Sequence, residues 1–127
     1  MTIGIKAKTS IAFSVAVVSI AAGCVRLSRD SLTVSGGTPV VYQCENGERA
    51  VARYFSLSDD SLDFVKVTMP DGKEYTLPHV VSASGARFTD DFQLVWWTKG
   101  NTAFVEERDQ EGKWQIKYSD CSIVSEE

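Results

Sequence analysis

From residue 38 onward, hydrophobic and polar residues alternate in short runs that are separated by residues favouring turns. Alternation with a period of two is typical of β-strands that bury one face. No stretch of this region shows the period of about 3.6 residues expected of an amphipathic helix. The pattern therefore predicts an all-β domain, with strands over residues 40–44, 49–57, 64–69, 73–77, 92–98, 102–107 and 114–118.

The segments between the predicted strands carry turn signals. Residues 46–47 (Asn-Gly) are typical of a tight β-hairpin, and residues 70–72 (Pro-Asp-Gly) of a four-residue turn. Similar polar turns are predicted at residues 59–61, 99–101 and 110–113. Seven or eight strands joined in this way indicate an antiparallel meander, which can close into a small barrel and remove its exposed edges. A sandwich of two sheets is the alternative arrangement.

The last predicted strand contains a conflict of side-chain direction. Trp114, Ile116 and Tyr118 share one face of that strand, whereas Cys121 falls on the opposite face. Either the strand is interrupted near residues 119–120, or a disulfide at Cys121 lies outside the hydrophobic core.

The N-terminal residues have the layout of an export signal. Lys6 and Lys8 supply a positive start, residues 11–20 form an uncharged and mostly apolar run, and residues 21–23 are small. This run is shorter than the roughly 17–25 residues that a membrane-spanning helix requires. We expect residues 1–23 to be a signal peptide of the lipoprotein type. A buried N-terminal helix is the less favoured alternative, because the helical period is absent.

The chain has three cysteines, Cys24, Cys44 and Cys121. Residues 21–24 (Ala-Ala-Gly-Cys) are similar to the sequence at which bacterial lipoproteins are cleaved and lipidated on the cysteine. Cleavage after Ala21 without lipidation is the alternative, and it would release a soluble domain. An odd number of thiols in an exported protein calls for explanation. If Cys24 carries lipid, Cys44 and Cys121 remain as one pair that an oxidising compartment favours.

The mature chain divides into a tether and one domain. Residues 24–37 contain few large hydrophobic side chains and end in Gly-Gly, which indicates the lipid-bearing cysteine followed by a tether. Residues 38–127 then form the working domain, a size sufficient for one modest core. Loss of residues 1–23 leaves 11 basic and 17 acidic residues, a net charge of −6. This balance disfavours a nucleic acid as partner and favours a basic protein.

Enzyme chemistry has little support in the sequence. His79 is the only histidine, and a hydrolytic triad requires a histidine that an acid orients. The acidic pairs at residues 59–60, 90–91 and 106–107 consist of chain neighbours, whose side chains point to opposite faces of a strand or solvate a turn. With one histidine and no CxxC motif, a metal site is not indicated either. We expect a protein that is not an enzyme and needs no cofactor or metal.

Two short segments stand out from the strand pattern. Residues 82–88 (Ser-Ala-Ser-Gly-Ala-Arg-Phe) interrupt it with small residues, and residues 96–100 (Trp-Trp-Thr-Lys-Gly) place a lysine after two large aromatics. By pattern alone, the first segment is a bulge or turn at Gly85. The second is a pair of core aromatics followed by a solvated lysine.

These two segments, bracketed by Cys44 and Cys121, resemble the C-type lysozyme inhibitors of Gram-negative bacteria, and specifically their membrane-bound, lipid-anchored family, MliC. The resemblance covers nearly the whole of the mature domain. It implies a small antiparallel eight-stranded β-barrel closed by one disulfide between the two cysteines. It also implies C-type lysozyme, a basic protein, as the partner.

Two motifs of this family carry over residue by residue. The pattern S-G-x-x-Y is matched within residues 84–88, and the pattern Y-x-x-x-T-K-G within residues 94–100. Phenylalanine and leucine replace the two family tyrosines, so any contact made through a phenol hydroxyl is absent. The residues that the motifs identify are Ser84, Gly85, Phe88, Leu94, Thr98, Lys99 and Gly100.

The resemblance implies that a loop carrying Ser84 and Lys99 enters the substrate cleft of an animal-type lysozyme. Such an enzyme works through a protonated glutamate and an ionised aspartate, with which a lysine ammonium can pair. The hydroxyl of Ser84 can donate or accept a hydrogen bond beside it. Arg87 is a further candidate contact. The acidic mature chain would also speed its encounter with a basic lysozyme.

Two other functions are compatible with the sequence. One is a barrel that binds a small ligand in a pocket lined by Trp96, Trp97 and Trp114. The other is an envelope protein that keeps the fold but has lost inhibition.

The residue after Cys24 bears on where the protein is anchored. Val25 stands there in place of the aspartate that commonly retains lipoproteins at the inner membrane. We therefore expect a lipid anchor in the outer membrane, with the domain facing the periplasm.

Overall fold

The structure is a computed structural model that describes residues 4, 14–18, 23 and 31–124. Cys24, most of the predicted signal peptide and residues 25–30 of the predicted tether lie outside the described residues. Within the described ranges, no helix is long and apolar enough to cross a bilayer.

Eight strands in chain order form the domain. Each strand pairs antiparallel with the next, and β8 pairs back to β1, so the sheet closes into a barrel. The predicted antiparallel barrel is confirmed, with the eight strands that the resemblance implied, and the two-sheet alternative is excluded. The strands are β1 (Val34–Gln43), β2 (Arg49–Leu57), β3 (Asp63–Thr68), β4 (Glu74–Val80), β5 (Ala86–Thr89), β6 (Leu94–Lys99), β7 (Thr102–Arg108) and β8 (Trp114–Ile123).

Up-and-down connectivity places successive connections at alternate ends of the barrel. Residues 58–62, 81–85 and 100–101 lie at one end, which we call the site end. The opposite end carries the connections at residues 44–48, 69–73, 90–93 and 109–113.

Alternate residues of the strands point inward and fill the barrel with side chains. Trp96 is 0% exposed, and its ring packs edge-on against Tyr42 with the ring centroids 5.0 Å apart. Eight strands enclose a space just wide enough for side chains to fill, so the interior is a packed core. The buried cluster comprises Tyr42, Cys44, Ala50, Ala52, Val65, Val67, Met69, Leu77, Phe88, Leu94, Trp96, Ala103, Val105 and Cys121.

Three polar side chains in this core bind one another. Trp96 Nε1 donates to the hydroxyl of Tyr54 at 3.0 Å, and the hydroxyls of Tyr54 and Tyr42 are 2.9 Å apart. Burial raises the pKa of both tyrosines, so they remain neutral. Among the described residues, no buried side-chain nitrogen or oxygen lacks a hydrogen-bond partner, as expected of a well-formed core.

The joint between β1 and β8 closes the barrel. Over the described residues, two residue pairs join these strands, whereas eight pairs join β1 to β2. A disulfide between Cys44 and Cys121, both buried, adjoins the two pairs. The backbone N–H of Glu45 donates to Ser119 O at 3.3 Å, and Ser119 Oγ donates to Glu45 Oε2 at 2.9 Å. The predicted disulfide is thus present, and it strengthens a joint that has only two strand pairs.

A bulge in β8 turns Cys121 into the core. Ala103 pairs with Cys121 and Val105 with Tyr118, so β8 has one residue more than β7 between these pairs. Asp120 lies within this stretch and adopts a positive φ of 49°. An extra residue reverses the side-chain direction of the residues beyond it. The sequence left open either an interruption of the strand near residues 119–120 or a disulfide outside the core. The strand is irregular at these residues, and the irregularity is a bulge rather than a break.

A second irregularity lies closer to the start of β8. Val105 pairs with Tyr118 and Glu106 with Ile116, so another extra residue separates these two pairs on β8. Tyr118 packs against the core, whereas Ile116 is 64% exposed. The prediction that Ile116 and Tyr118 share a face is therefore wrong, because a strict period of two does not hold across a bulge.

The first strand begins earlier than the predicted domain boundary. Residues 34–37, which the sequence assigned to the tether, belong to β1, and residues 34–36 pair with β2. Gly36 has a φ of 102°, and a Cβ on it would lie 2.2 Å from Tyr54 O. The Gly-Gly pair is therefore part of β1 and not a linker. It permits an irregularity at which the backbone of β1 lies close to β2.

β6 begins at Leu94, two residues after the predicted start. Asp90 Oδ1 accepts the backbone N–H groups of Phe92 at 3.0 Å and Gln93 at 2.8 Å, which holds residues 90–93 in a turn. Partial burial acts to raise the pKa of Asp90, but these backbone donors outweigh it and keep that pKa below its usual value.

Replacing Cys44 and Cys121 together by alanine should lower the free energy of unfolding by about 4 kcal/mol. The bond spans 77 residues, and its loss frees a long loop in the unfolded chain. Urea denaturation of the variant measures the loss, and reduction of the wild-type protein should reproduce it. A loss below about 1 kcal/mol would show that strand pairing alone secures the joint.

Candidate functional site

Ser84 and Lys99 lie next to each other at the site end. Strand β5 runs beside β6 with Ala86 opposite Thr98, so the connection that precedes β5 adjoins the turn that follows β6. Ser84 is exposed in that connection, and Lys99 is exposed at the end of β6. The fold therefore brings together the two residues that the family motifs identify as partner contacts.

Gly85 permits this close approach. Its φ is 67°, and a Cβ on it would lie 2.3 Å from Thr98 O and 2.8 Å from Lys99 Cγ. A side chain would be strained in this backbone conformation and would collide with the carbonyl of the neighbouring strand. Gly85 thus lets the Ser84 connection lie flat against the end of β6, with the aliphatic part of Lys99 over it.

Two donors hold the backbone of Ser84. Trp97 Nε1 donates to Ser84 O at 2.9 Å. Ser82 Oγ also donates, to Ser84 O at 3.2 Å and Gly85 O at 3.0 Å. The carbonyl of Ser84 is therefore fixed towards the barrel wall while its side chain stays exposed.

The ammonium group of Lys99 is free for an external partner. Within residues 31–124, Lys99 is in no ion pair. Its Nζ lies 5.7 Å from the ring centroid of Trp97, over the ring. The backbone of the turn is fixed, since Thr102 Oγ1 donates to Lys99 O at 2.9 Å and Gly100 supplies a φ of 57°.

Arg87 and Thr98 are engaged within the barrel wall. Arg87 Nη2 lies 3.8 Å from Asp91 Oδ1, and Arg87 Cζ lies 5.6 Å from the Trp97 ring centroid. Thr98 Oγ1 donates to Ala86 O at 3.4 Å. Both side chains are half-buried, so their contacts support the loops more than they form the exposed surface.

The two positions at which the family tyrosines are replaced both lie inside the barrel. Phe88 is 5% exposed, and its ring lies 5.6 Å from that of Tyr54 and 5.2 Å from that of His79. Leu94 is 1% exposed. Phe88 and Leu94 are thus core residues, and they present little surface to a partner.

The remaining candidates for chemistry are dispersed. Among the described residues, no three side chains of His, Cys, Asp or Glu are grouped so that they could hold a metal ion. His79 is exposed on β4 beside Phe88. Asp59 accepts hydrogen bonds from Ser61 in its own turn, and Glu107 is in an ion pair with Lys117.

The three tryptophans do not line one pocket. Trp96 is in the core, whereas Trp97 lies on the outer wall and stacks on Phe104 with centroids 5.4 Å apart. Trp114 packs under the guanidinium of Arg108, whose Cζ lies 4.9 Å from the centroid of the Trp114 ring. The pocket on which the ligand-binding alternative depended is therefore absent from the described structure.

Sequence reasoning missed the part that Trp97 plays in the site. It treated Trp96 and Trp97 together as core aromatics, although strand alternation directs neighbours to opposite faces. The available signal was the spacing of Trp97 and Lys99, two residues apart on one face of β6.

The fold and the site define a class of protein: a small, disulfide-closed antiparallel barrel that presents an exposed serine and lysine on adjoining loops at one end. Residues 42–114, more than half of the chain, match the family described as membrane-bound lysozyme-inhibitor of c-type lysozyme. The chain belongs to this family.

Individual relatives agree with this assignment. A Yersinia enterocolitica protein named membrane-bound lysozyme inhibitor of C-type lysozyme is 38% identical over 84 residues, which are 66% of this chain and 62% of that protein. A Pseudomonas aeruginosa protein of the same name is 41% identical over 64 residues, 50% of this chain and 48% of that protein. The chain therefore spans between about half and three fifths of the length of these curated relatives.

A solved structure also matches the barrel. It is the crystal structure of Pseudomonas aeruginosa MliC in complex with hen egg white lysozyme, with a TM-score of 0.56 and 25% sequence identity. The match covers 73% of this chain and 86% of that chain.

Substituting alanine for Gly85 should lower the free energy of unfolding by about 2–4 kcal/mol, because the new Cβ meets both backbone strain and the Thr98 carbonyl. Gly112→Ala is the matched control. Gly112 has a φ of 81° but no atom within 4 Å of a Cβ, so its loss should be only about 1 kcal/mol. Equal losses in thermal or urea unfolding would show that the Ser84 connection moves away without cost.

Proposed function

We propose that this chain inhibits C-type lysozyme by placing Ser84 and Lys99 in the substrate cleft of the enzyme, and that it thereby protects peptidoglycan. Its membership of a family described as lysozyme inhibitors supports this proposal. So does the likeness of its barrel to Pseudomonas aeruginosa MliC, which was solved in complex with hen egg white lysozyme. The observation that carries the proposal is the exposed ammonium of Lys99, without an ion pair in the described structure, beside the exposed Ser84.

The chemistry of the enzyme suits these two residues. A C-type lysozyme cleaves its substrate with a protonated glutamate and an ionised aspartate on either side of the scissile bond. The ammonium of Lys99 can pair with these groups in a cleft from which water is displaced, where such a pair is stronger than at an open surface. Ser84 can add a hydrogen bond beside it. An occupied cleft cannot admit the polysaccharide.

The shape of the two loops also suits a narrow cleft. Gly85 follows Ser84 and Gly100 follows Lys99, so each contact residue has a neighbour without a side chain. Their positive φ values, 67° and 57°, turn the backbone sharply at both points. The site end therefore presents two slim projections carried by a rigid barrel, which limits the entropy lost on binding.

Charge favours the encounter between the two proteins. The whole sequence has a formal net charge of −4, which becomes −6 without the two lysines of the predicted signal peptide. A basic enzyme is attracted to such a surface at long range, and the attraction weakens as salt is added. The lysine at the tip of the site end then faces the acidic cleft, so overall and local charge both match the proposed partner.

Replacing Lys99 by alanine should weaken inhibition of C-type lysozyme by about 30-fold or more, because it leaves the two enzyme carboxyl groups without their cation. The apparent inhibition constant is measured by titrating the purified protein into lysozyme that hydrolyses a soluble oligosaccharide. Lys113→Ala is the matched control. Lys113 is an exposed lysine in the 109–113 connection at the opposite end, and its loss should change the constant less than about twofold.

Two results would contradict the proposal. A folded wild-type protein that leaves lysozyme active at micromolar concentration would exclude inhibition altogether. Equal weakening by Lys99→Ala and Lys113→Ala would exclude insertion of Lys99, because it would show that only overall charge matters.

We further propose that residues 1–23 direct export and that Cys24 carries lipid, which anchors the barrel domain in the outer membrane facing the periplasm. The proposal rests on the sequence and on the family description, which names its members membrane-bound. The pairing of Cys44 with Cys121 supports it, since Cys24 is then the remaining thiol.

Changing Cys24 to serine should move the protein from the membrane pellet to the soluble periplasmic fraction, because the residue that accepts the lipid is gone. Mass spectrometry of the wild-type N-terminal peptide should find acyl chains on Cys24. An unmodified cysteine, or a variant that still sediments with membranes, would contradict the anchor.

A further inference from the structure

The outer wall of the barrel carries a row of contacts centred on Trp97. In the sheet register, Trp97 lies opposite Arg87 on β5 and opposite Phe104 on β7. The Phe104 ring stacks on it at an interplanar angle of 27°. The indole is therefore held by side chains of both neighbouring strands.

Trp97 contacts both residues of the proposed inhibitory site, each through a different part of the indole. Its Nε1 donates to the carbonyl of Ser84 at 2.9 Å. Its ring has the ammonium of Lys99 5.7 Å from the centroid. A single side chain thus links two loops that otherwise meet where Gly85 lies against the end of β6.

We infer that Trp97 is a positioning residue, which holds Ser84 and Lys99 in their binding geometry before lysozyme arrives. The inference rests on the proposed function and goes beyond it, because Trp97 itself need not touch the enzyme. A lysine side chain is long and flexible, and a serine connection of small residues is flexible as well. Holding both in place reduces the freedom that is lost on binding, and therefore tightens the complex.

Tryptophan suits this role for a physical reason. Only the indole combines a broad ring, to which a cation is attracted, with an N–H donor at its edge. Arg87 also lies over the ring, at 5.6 Å, but the carboxylate of Asp91 is 3.8 Å from its guanidinium and offsets its charge. Of the two cations over this ring, the ammonium of Lys99 is the one without such a counter-ion in the described structure.

Two substitutions separate the two contacts. Trp97→Phe keeps a ring but removes the donor to Ser84, and should weaken lysozyme inhibition about threefold. Trp97→Leu removes both contacts and should weaken inhibition about tenfold or more. Trp114→Leu is the matched control. Trp114 is another half-buried tryptophan of the outer wall with a cation over its ring, but it lies at the start of β8, away from the site.

A double-mutant cycle tests whether Trp97 acts through Lys99. In the Lys99→Ala background, Trp97→Leu should weaken inhibition by a smaller factor than it does in the wild-type protein, because one of its two targets is gone. Thermal unfolding of each variant identifies any loss that is due to general destabilisation. Trp97→Leu should weaken inhibition more than Trp114→Leu at a comparable fall in the melting temperature.

A measurement without lysozyme tests the positioning itself. In NMR spectra of the free protein, the Lys99 methylene protons next to Nζ should be shifted upfield by the Trp97 ring, and this shift should vanish in Trp97→Leu. The indole N–H of Trp97 should exchange with solvent more slowly than that of Trp114. If the wild-type protein fails to inhibit lysozyme, the proposed function is wrong, and these spectra still decide whether Trp97 positions Lys99.

Several outcomes would overturn the inference. These are Lys99 protons at ordinary shifts, equal weakening by Trp97→Leu and Trp114→Leu at matched stability, and full inhibition by Trp97→Leu. A Trp97→Leu effect that is unchanged in the Lys99→Ala background and absent from Trp97→Phe would also overturn it, because Trp97 would then act through neither contact.

Discussion

Closure of the sheet at the joint between β1 and β8 is the constraint on which the rest of the molecule depends. A disulfide between Cys44 and Cys121 secures the joint, and both sulfurs lie in the core because a bulge at Asp120 directs Cys121 inward. An open sheet of eight strands would leave two unpaired edges and expose one face of its core. With the joint closed, Trp96 and Tyr42 are enclosed on all sides, and every strand has two neighbours.

The closed barrel gives the site its rigidity. Strand β5 has only four residues, yet it is paired on both sides, so the connection before it starts from a fixed point. Ser84 and Lys99 then need little further support. Gly85 provides it through its close approach to β6, and Trp97 provides it through its two contacts. Function placed on loops of a rigid scaffold is a common arrangement, because the scaffold bears the cost of ordering them.

The distribution of charge follows the same division between barrel and site. The chain is acidic overall, and the ion pairs of the described residues involve Arg87 and lysines other than Lys99. In the function proposed above, long-range attraction to a basic partner and short-range pairing with its acidic groups come from different parts of the protein. In the proposed complex, the barrel surface accelerates the encounter while one cation at the site end supplies specificity.

Much of the fold was predictable from the sequence, because strand alternation and turns such as residues 46–47 depend on local chemistry. The residues of the site were identifiable only through family resemblance, since composition and spacing assign no role to an exposed lysine. The tertiary structure alone decided the side-chain directions in β8, the start of β1 at Val34 and the position of Trp97 against Ser84. These features depend on bulges and on pairing between distant strands. One extra residue reverses the alternation, and no local pattern in the sequence records which strand will lie alongside.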